Sequence, residues 1–159
     1  MPTFMNETPK QTAYAFNKDN IEQLNSFLKG ELSAIETYQQ TIDKMDPEDT
    51  QALTVLRTCK QSHETRAERL RREVVALGGT PATDSGAWGT FAKLAEGTAK
   101  LFGKKAAVAM LEEGEDHGLR DYRRDLDELD GAVRTFVERE ILPAQKQTHD
   151  SLNRLQASL

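Results

Sequence analysis

The sequence has few of the features that would indicate disulfide bonds, a membrane-spanning helix or binding to nucleic acid. Its 159 residues include a single cysteine, Cys59, which excludes an internal disulfide and a cysteine-based zinc site. No apolar run approaches the ~18–20 residues that a membrane-spanning helix needs. The net charge of −5 argues against a nucleic-acid partner, because affinity for a phosphate backbone depends on lysine and arginine.

Several further sequence signals are also missing. Residues 1–16 lack the basic start and apolar stretch of a secretory signal, so we expect a cytoplasmic protein in a reducing compartment. Nucleophile motifs, phosphate-binding loops and nucleotide-binding fingerprints are absent from the sequence. The sequence therefore names no activity, and whether the protein is an enzyme stays open at this point.

Apolar residues recur at alternating spacings of three and four and predict an all-α protein. The first helix is expected over 19–45. The second begins at Pro47, with Asp46 as its cap, and ends at Gly78-Gly79, because proline suits the first turn of a helix and glycine its end. The third and fourth helices are expected over about 104–129 and 132–157, with Pro143 bending the fourth.

The connections between these helices predict their arrangement. The first two helices are joined by a very short turn, and so are the last two, so each pair should form an antiparallel hairpin. Residues 79–103 are long enough to travel the length of the bundle, with a short amphipathic helix broken near Gly103. We therefore expect a four-helix bundle over 19–157 with one long crossover, preceded by a flexible arm over 1–18.

The two hairpins repeat each other in their polar residues. The first and third helices share a glutamate followed by a tyrosine seven residues later. The second and fourth helices share a block that starts with lysine and has histidine three residues later. The matched residues are Glu31 and Tyr38 with Glu115 and Tyr122, and Lys60 and His63 with Lys146 and His149.

The repeated glutamates and histidines should meet at the centre of the bundle. Glu31 and His63 lie at similar distances from the first hairpin turn, and Glu115 and His149 at similar distances from the second. If the hairpins enter from opposite ends, only a site at mid-height lets the two halves meet. These four residues are expected to lie together there, either as ion-paired and hydrogen-bonded core residues or as metal ligands. Iron and zinc are the candidate ions, because both accept oxygen and nitrogen donors.

The motifs carry a resemblance to a known family. Gly30-Glu31-x2-Ala34-x3-Tyr38 resembles the first helix of rubrerythrin-type ferritin-like proteins, and Gly114-Glu115-x6-Tyr122 resembles their third. His63 and His149 match the histidines of the Glu-x2-His motifs on the second and fourth helices of that family. The stop at 77–81 and the Ala87-Trp88-Gly89 segment look like a bacterial ferritin-like subfamily without an assigned activity. The resemblance implies a ferritin-like bundle with a nonhaem di-iron centre that handles oxygen or peroxide.

The sequence departs from that family where a dimetal centre needs carboxylates. Lys60 and Lys146 stand at the positions that precede each histidine by three, where the resemblance would place bridging glutamates. Two glutamates and two lysines sum to zero charge, so the lysines are predicted to replace the metal ions in a buried charge network. Tyr38 and Tyr122 are expected beside this network as core aromatics with bonded hydroxyls.

Three functions remain open from the sequence. The first is a metal-free or weakly metal-binding bundle with an interaction or structural role. The second is a nonhaem iron oxidoreductase, with either a di-iron or a mononuclear site, and the third is an iron-storing or DNA-protecting cage. The partner is expected to be a protein or a second copy in a small homo-oligomer, with no nucleic acid and no membrane.

Overall fold

The computed structural model describes residues 9–86 and 89–159, with side chains described for 17–86 and 103–159. All of its regular elements in those ranges are helical, which confirms the all-α prediction. They are α1 (Pro9–Lys44), α2 (Thr50–Ala76), α3 (Gly89–Asp125), a short 3₁₀ turn (Leu126–Glu128), α4 (Gly131–Phe136), a π-helical segment (Val137–Ile141) and α5 (Leu142–Ser158). The last three are continuous and form the fourth long helix.

The first helix is longer than the sequence pattern indicates. It begins at Pro9, ten residues before the predicted start, so residues 9–18 of the expected arm are helical. Residues 1–8 lie outside the described part of the chain. Proline in the first turn costs no hydrogen bond, because the N–H groups there have no partner within the helix.

The long crossover runs the length of the bundle. Its start is held to α1 by the side chain of Asn25, which donates to the carbonyl of Thr80 at 3.0 Å and accepts from the N–H of Ala82 at 2.8 Å. Its end lies near the α1–α2 turn, where Lys104 contacts Asp49 at 2.8 Å. The predicted crossover between two antiparallel hairpins is therefore confirmed.

The break expected near Gly103 is a kink inside α3. Gly103 has φ 76° and ψ −165°, a conformation that residues with a side chain rarely adopt. The backbone is helical on both sides of it, so the short helix of the crossover and the third bundle helix are joined through this residue. The side chains that would make the short helix amphipathic lie outside the described residues.

Apolar side chains form two clusters along the bundle, with polar residues between them. One cluster packs around Leu28, Leu70 and Val137, and the other around Leu56 and Leu152. Between them lie buried ionisable side chains on α1, α2 and α3. A polar layer at mid-height is costly unless its members are bonded to one another, so it marks the place to look for a site.

The fourth helix changes its hydrogen-bonding pattern before Pro143. Proline lacks an N–H and its ring crowds the carbonyl four residues earlier, which here belongs to Arg139, inside the π-helical segment. A π-helix turns less per residue than an α-helix, so the π-helical segment offsets the drift around the axis that repeated steps of four residues accumulate in an α-helix. The buried residues Val133, Val137, Ile141 and Gln145 follow that spacing.

Candidate functional site

His63 of α2 lies at the centre of the polar layer, between two carboxylates. Its Nδ1 is 2.6 Å from Oε2 of Glu31 on α1, and its Nε2 is 2.7 Å from Oε1 of Glu115 on α3. All three residues are buried. The imidazole therefore bridges two helices that belong to different hairpins.

Arg66, one turn after His63 on α2, supplies a permanent positive charge to the same layer. Its Nε donates to Oε1 of Glu31 at 3.0 Å, and only 1% of its surface is exposed. Its Nη1 lies 3.4 Å from the hydroxyls of Ser62 and Thr148, and its Nη2 lies 2.5 Å from Nδ1 of His63. A guanidinium and an imidazole are thus packed side by side against the carboxylates.

The two tyrosines of the repeat bind the carboxylates crosswise. Tyr38 of α1 donates to Oε1 of Glu115 at 2.6 Å, and Tyr122 of α3 donates to Oε1 of Glu31 at 2.5 Å. Each hairpin therefore bonds the glutamate of the other. This exchange follows from the equal glutamate-to-tyrosine spacing on two antiparallel helices.

The fourth helix contributes Gln145 and Thr148. The Gln145 amide donates to Oε2 and to the backbone carbonyl of Glu115, at 2.8 and 3.1 Å, and the Thr148 hydroxyl lies 2.8 Å from the same Oε2. Gly118 on α3 leaves room for this amide, since a β-carbon there would lie 2.9 Å from Nε2 of Gln145. All four carboxylate oxygens of Glu31 and Glu115 are bonded in this way. We call the eight residues Glu31, Tyr38, His63, Arg66, Glu115, Tyr122, Gln145 and Thr148 the central cluster.

The cluster favours the charged form of its acids and of its histidine. Burial alone would raise the pKa of Glu31, but Arg66 and His63 outweigh burial and lower it to about 2. Burial is outweighed in the same way at Glu115, whose pKa is lowered chiefly by His63. Burial and the adjacent Arg66 oppose a charge on His63, yet Glu115 and Glu31 raise its pKa above the usual value. With His63 protonated, the two carboxylates, the guanidinium and the imidazolium sum to zero charge.

This donor set does not fit the dimetal centre that the family resemblance implies. A centre of that kind needs four carboxylates and two imidazoles whose lone pairs are free to bind the ions. Here each oxygen of both carboxylates already has a partner from the protein, and the Arg66 guanidinium cannot coordinate a metal. Charge and hydrogen bonding are both satisfied without an ion.

A cavity of about 140 Å³ opens between α1 and α3 and reaches the central cluster. Its walls include the small residues Gly30, Ala34 and Gly114, and its outer end includes the exposed side chain of Arg124. The cavity therefore extends from the central cluster to a side chain at the protein surface.

The predicted site residues divide into two groups. Glu31, His63 and Glu115 converge at mid-height, whereas His149, the fourth candidate ligand, does not join them. His149 lies in a groove between α3 and α5, with Nε2 2.5 Å from Asp116 and Nδ1 3.2 Å from Asp150.

The lysines also depart from the prediction. Lys60 pairs with Glu64 of its own helix at 2.9 Å, and Lys146 is exposed. The contacts described for the central cluster come from other residues, so Arg66, not a lysine, is the buried cation. The predicted tyrosines do lie in the cluster, with both hydroxyls bonded.

Arg66, Gln145 and Thr148 were not among the predicted residues. Arg66 follows His63 by three residues, so it could have been placed on the inward face of α2 by the same spacing that placed Lys60 there. Gln145 and Thr148 each precede a predicted residue by one. The signal for that shift was Pro143, which forces a change in the helix before it reaches the centre.

Comparisons with known proteins place the chain in a family. A family model described as "Domain of unknown function (DUF2383)" matches residues 19–128, which is more than half of the chain. The chain belongs to this family. No curated protein gives a significant match to this DUF2383 chain.

A solved structure shares the fold of this DUF2383 chain. It is described as the crystal structure of ferritin-like, diiron-carboxylate proteins from Bacillus anthracis str. Ames. It has 18% sequence identity to this chain and a TM-score of 0.70, and the match covers 87% of this chain and 96% of that one. The DUF2383 chain is therefore a ferritin-like bundle. At this identity the likeness shows the fold alone.

Proposed function

We propose that this protein is a ferritin-like bundle with an ion-pair network in place of a dimetal site, and that it has an interaction or structural role. The observation that carries this proposal is the buried Arg66, which donates to Glu31 beside His63. A guanidinium is always charged and offers only donors, so it takes the electrostatic place of a metal ion without its redox chemistry.

The charge balance supports the same conclusion. Adding two divalent ions to a neutral set of side chains would leave a buried excess of positive charge, which is strongly unfavourable in a low-dielectric interior. Removing Arg66 from the layer to make room would leave Glu31 without its permanent partner. Under this proposal the central cluster fixes the register of the two hairpins, and the protein contacts its partner through its surface.

The surface restricts the kind of partner. None of the helices in the described parts of the chain combines the length and apolarity needed to span a bilayer. The net charge of −5 disfavours nucleic acid. We propose a protein partner or a second copy of this chain in a small homo-oligomer.

The alternative is a nonhaem iron oxidoreductase, which the diiron-carboxylate description of the solved structure favours. The two proposals differ in what the centre does with Fe²⁺. A metal-free network leaves the rate of Fe²⁺ oxidation by oxygen at the value of the buffer, whereas an oxidoreductase binds Fe²⁺ and accelerates its oxidation.

The test is to measure metal binding at the centre in chains that carry His149→Ala, because His149 has carboxylate neighbours of its own. Protein purified without chelator is analysed for metal content and titrated with Co²⁺, whose visible absorption reports coordination. We expect no ion at the centre and no acceleration of Fe²⁺ oxidation. A further variant, His63→Glu with Arg66→His, provides a carboxylate and an imidazole three residues apart on the inward face. We expect it to bind Co²⁺ and to be stabilised by it.

The matched control places the same residue pair on the exposed face of the same helix. Gln61→Glu with Glu64→His has the same spacing, but both positions are exposed, and we expect no comparable binding. If the chain with only His149→Ala binds two ions and accelerates Fe²⁺ oxidation, the proposal is wrong and the oxidoreductase takes its place. The measurements on the chain with only His149→Ala test the proposal even if the double variant fails to fold.

A further inference from the structure

His149 lies beside two carboxylates of α3 that are one helical turn apart. Glu112 and Asp116 are four residues apart, so they share a face of α3. One oxygen of each, together with one ring nitrogen of His149, lies within 4.8 Å of the other two. We call Glu112, Asp116 and His149 the groove triad; it is the only such group of three among the described residues.

The imidazole of His149 is held in its orientation by a carboxylate on the side away from Asp116. Its Nδ1 lies 3.2 Å from Oδ1 of Asp150, while its Nε2 points at Asp116. A carboxylate that accepts the second N–H of a histidine fixes the ring and its tautomer, and metal-binding histidines almost always have such a partner. The lone pair is thereby presented to the side where Glu112 and Asp116 lie.

The electrostatics of the groove differ from those of the central cluster. Three carboxylates lie around one imidazole, whereas in the central cluster two carboxylates face a guanidinium and an imidazole. The groove thus has an excess of negative charge that a divalent cation would neutralise.

We propose that the groove triad binds one divalent metal ion such as Zn²⁺. One imidazole and two carboxylates are a set of three ligands that zinc accepts, with water in the remaining position. The side chain of Asp116 is half-exposed, so the triad lies where solvent can supply that water. Asp150 acts as a positioning residue, through the ring of His149. The proposal is independent of the proposed function, because the triad shares no residue with the central cluster.

The test uses the full chain after removal of bound metal by dialysis against a chelator. Isothermal titration with Zn²⁺ and visible spectroscopy with Co²⁺ are expected to show one ion per chain. His149→Ala should abolish this binding, and Asp116→Asn should weaken it. Asp150→Asn should weaken it by roughly 10- to 100-fold, the usual effect of losing the carboxylate behind a metal-bound histidine.

His117 provides the matched control. It lies next to Asp116 on α3 and pairs with Asp121 at 3.4 Å, but it belongs to no group of three ligands among the described residues. His117→Ala should leave the stoichiometry and the affinity unchanged. Equal binding by the wild type and by His149→Ala would overturn the proposal, as would the absence of binding in the wild type. In the latter case the groove contacts are ion pairs of a protonated His149.

Discussion

The two histidines of the internal repeat occupy opposite kinds of environment. His63 is buried and lies between two carboxylates from different helices, next to a guanidinium. His149 is partly exposed in a groove, where a second carboxylate lies behind its ring. The same residue in the same repeated block is thus a member of an internal ion-pair network in one half and a groove residue in the other.

The difference shows how a local change in a helix alters which residues of a sequence motif face the bundle centre. The π-helical segment Val137–Ile141 turns less per residue than an α-helix, and after it the inward positions belong to Gln145 and Thr148. His149 is one residue further along and therefore points towards the groove. α2 is one uninterrupted α-helix, so His63 stays inward. A repeat in sequence therefore does not ensure a repeat in structure.

The largest expected effect tests whether the buried cation is essential to the inner site. Arg66→Ala leaves Glu31 buried without its permanent charge partner, and loss of one member of a buried pair typically costs about 3–5 kcal/mol. The control Arg57→Ala lies on the exposed face of the same helix and should change the free energy of unfolding by less than about 0.5 kcal/mol. Chemical denaturation followed by circular dichroism measures both. Equal effects of the two variants would mean that the network contributes nothing.

A smaller effect is expected in the pH dependence of stability. The folded-state pKa of His63 is raised, so the folded protein holds this proton more tightly than the unfolded chain does. The resulting stabilisation is fully present below the unfolded pKa of about 6.5 and is lost as the pH rises through the folded pKa. The free energy of unfolding should therefore decline over that range in the wild type.

His63→Gln should flatten that decline, because glutamine cannot titrate. His149→Ala is the comparison variant: the pKa of His149 is also raised, but its ring is partly exposed, so it should account for the smaller share of the slope. Denaturation at a series of pH values measures the slopes. A slope that His63→Gln leaves intact would show that the inner imidazole is neutral in the folded protein.

The smallest effect is expected at the groove. With no metal in solution, His149→Ala removes only partly exposed ion pairs, and such pairs contribute about 0–1 kcal/mol. Thermal unfolding in the presence of chelator should therefore place this variant close to the wild type and far above Arg66→Ala. A loss as large as that of Arg66→Ala would mean that the groove is a structural element of the bundle, and the contrast between the two histidines would no longer hold.

Much of the fold follows from patterns along the chain, because helix boundaries depend on nearby residues. The stop at Gly78-Gly79 and the break at Gly103 both depend on the backbone freedom of glycine, and both are where the sequence places them. The start of α1 was placed ten residues too late, because residues 9–18 lack the apolar period by which a helix is recognised.

The sequence predicted only part of the candidate site. The convergence of Glu31, His63 and Glu115 was expected from their equal distances to the hairpin turns. The cation was assigned to Lys60 rather than Arg66, although both are three residues from His63. A spacing of three in either direction is close to one helical turn, and which residue turns inward depends on the rotation of α2 against α1.

The sequence by itself determined the number of long helices, their hairpin order and the height at which the glutamates meet, because these depend on periodicity and on distance along the chain. Only the tertiary structure decided which side chains fill the centre. The rotation of each helix about its axis is set by packing against its neighbours, and a single π-helical segment shifts that rotation for every residue that follows. Lys146 and His149 match their counterparts in the sequence repeat but do not lie at the centre. Gln145 and Thr148 bond Glu115 there instead.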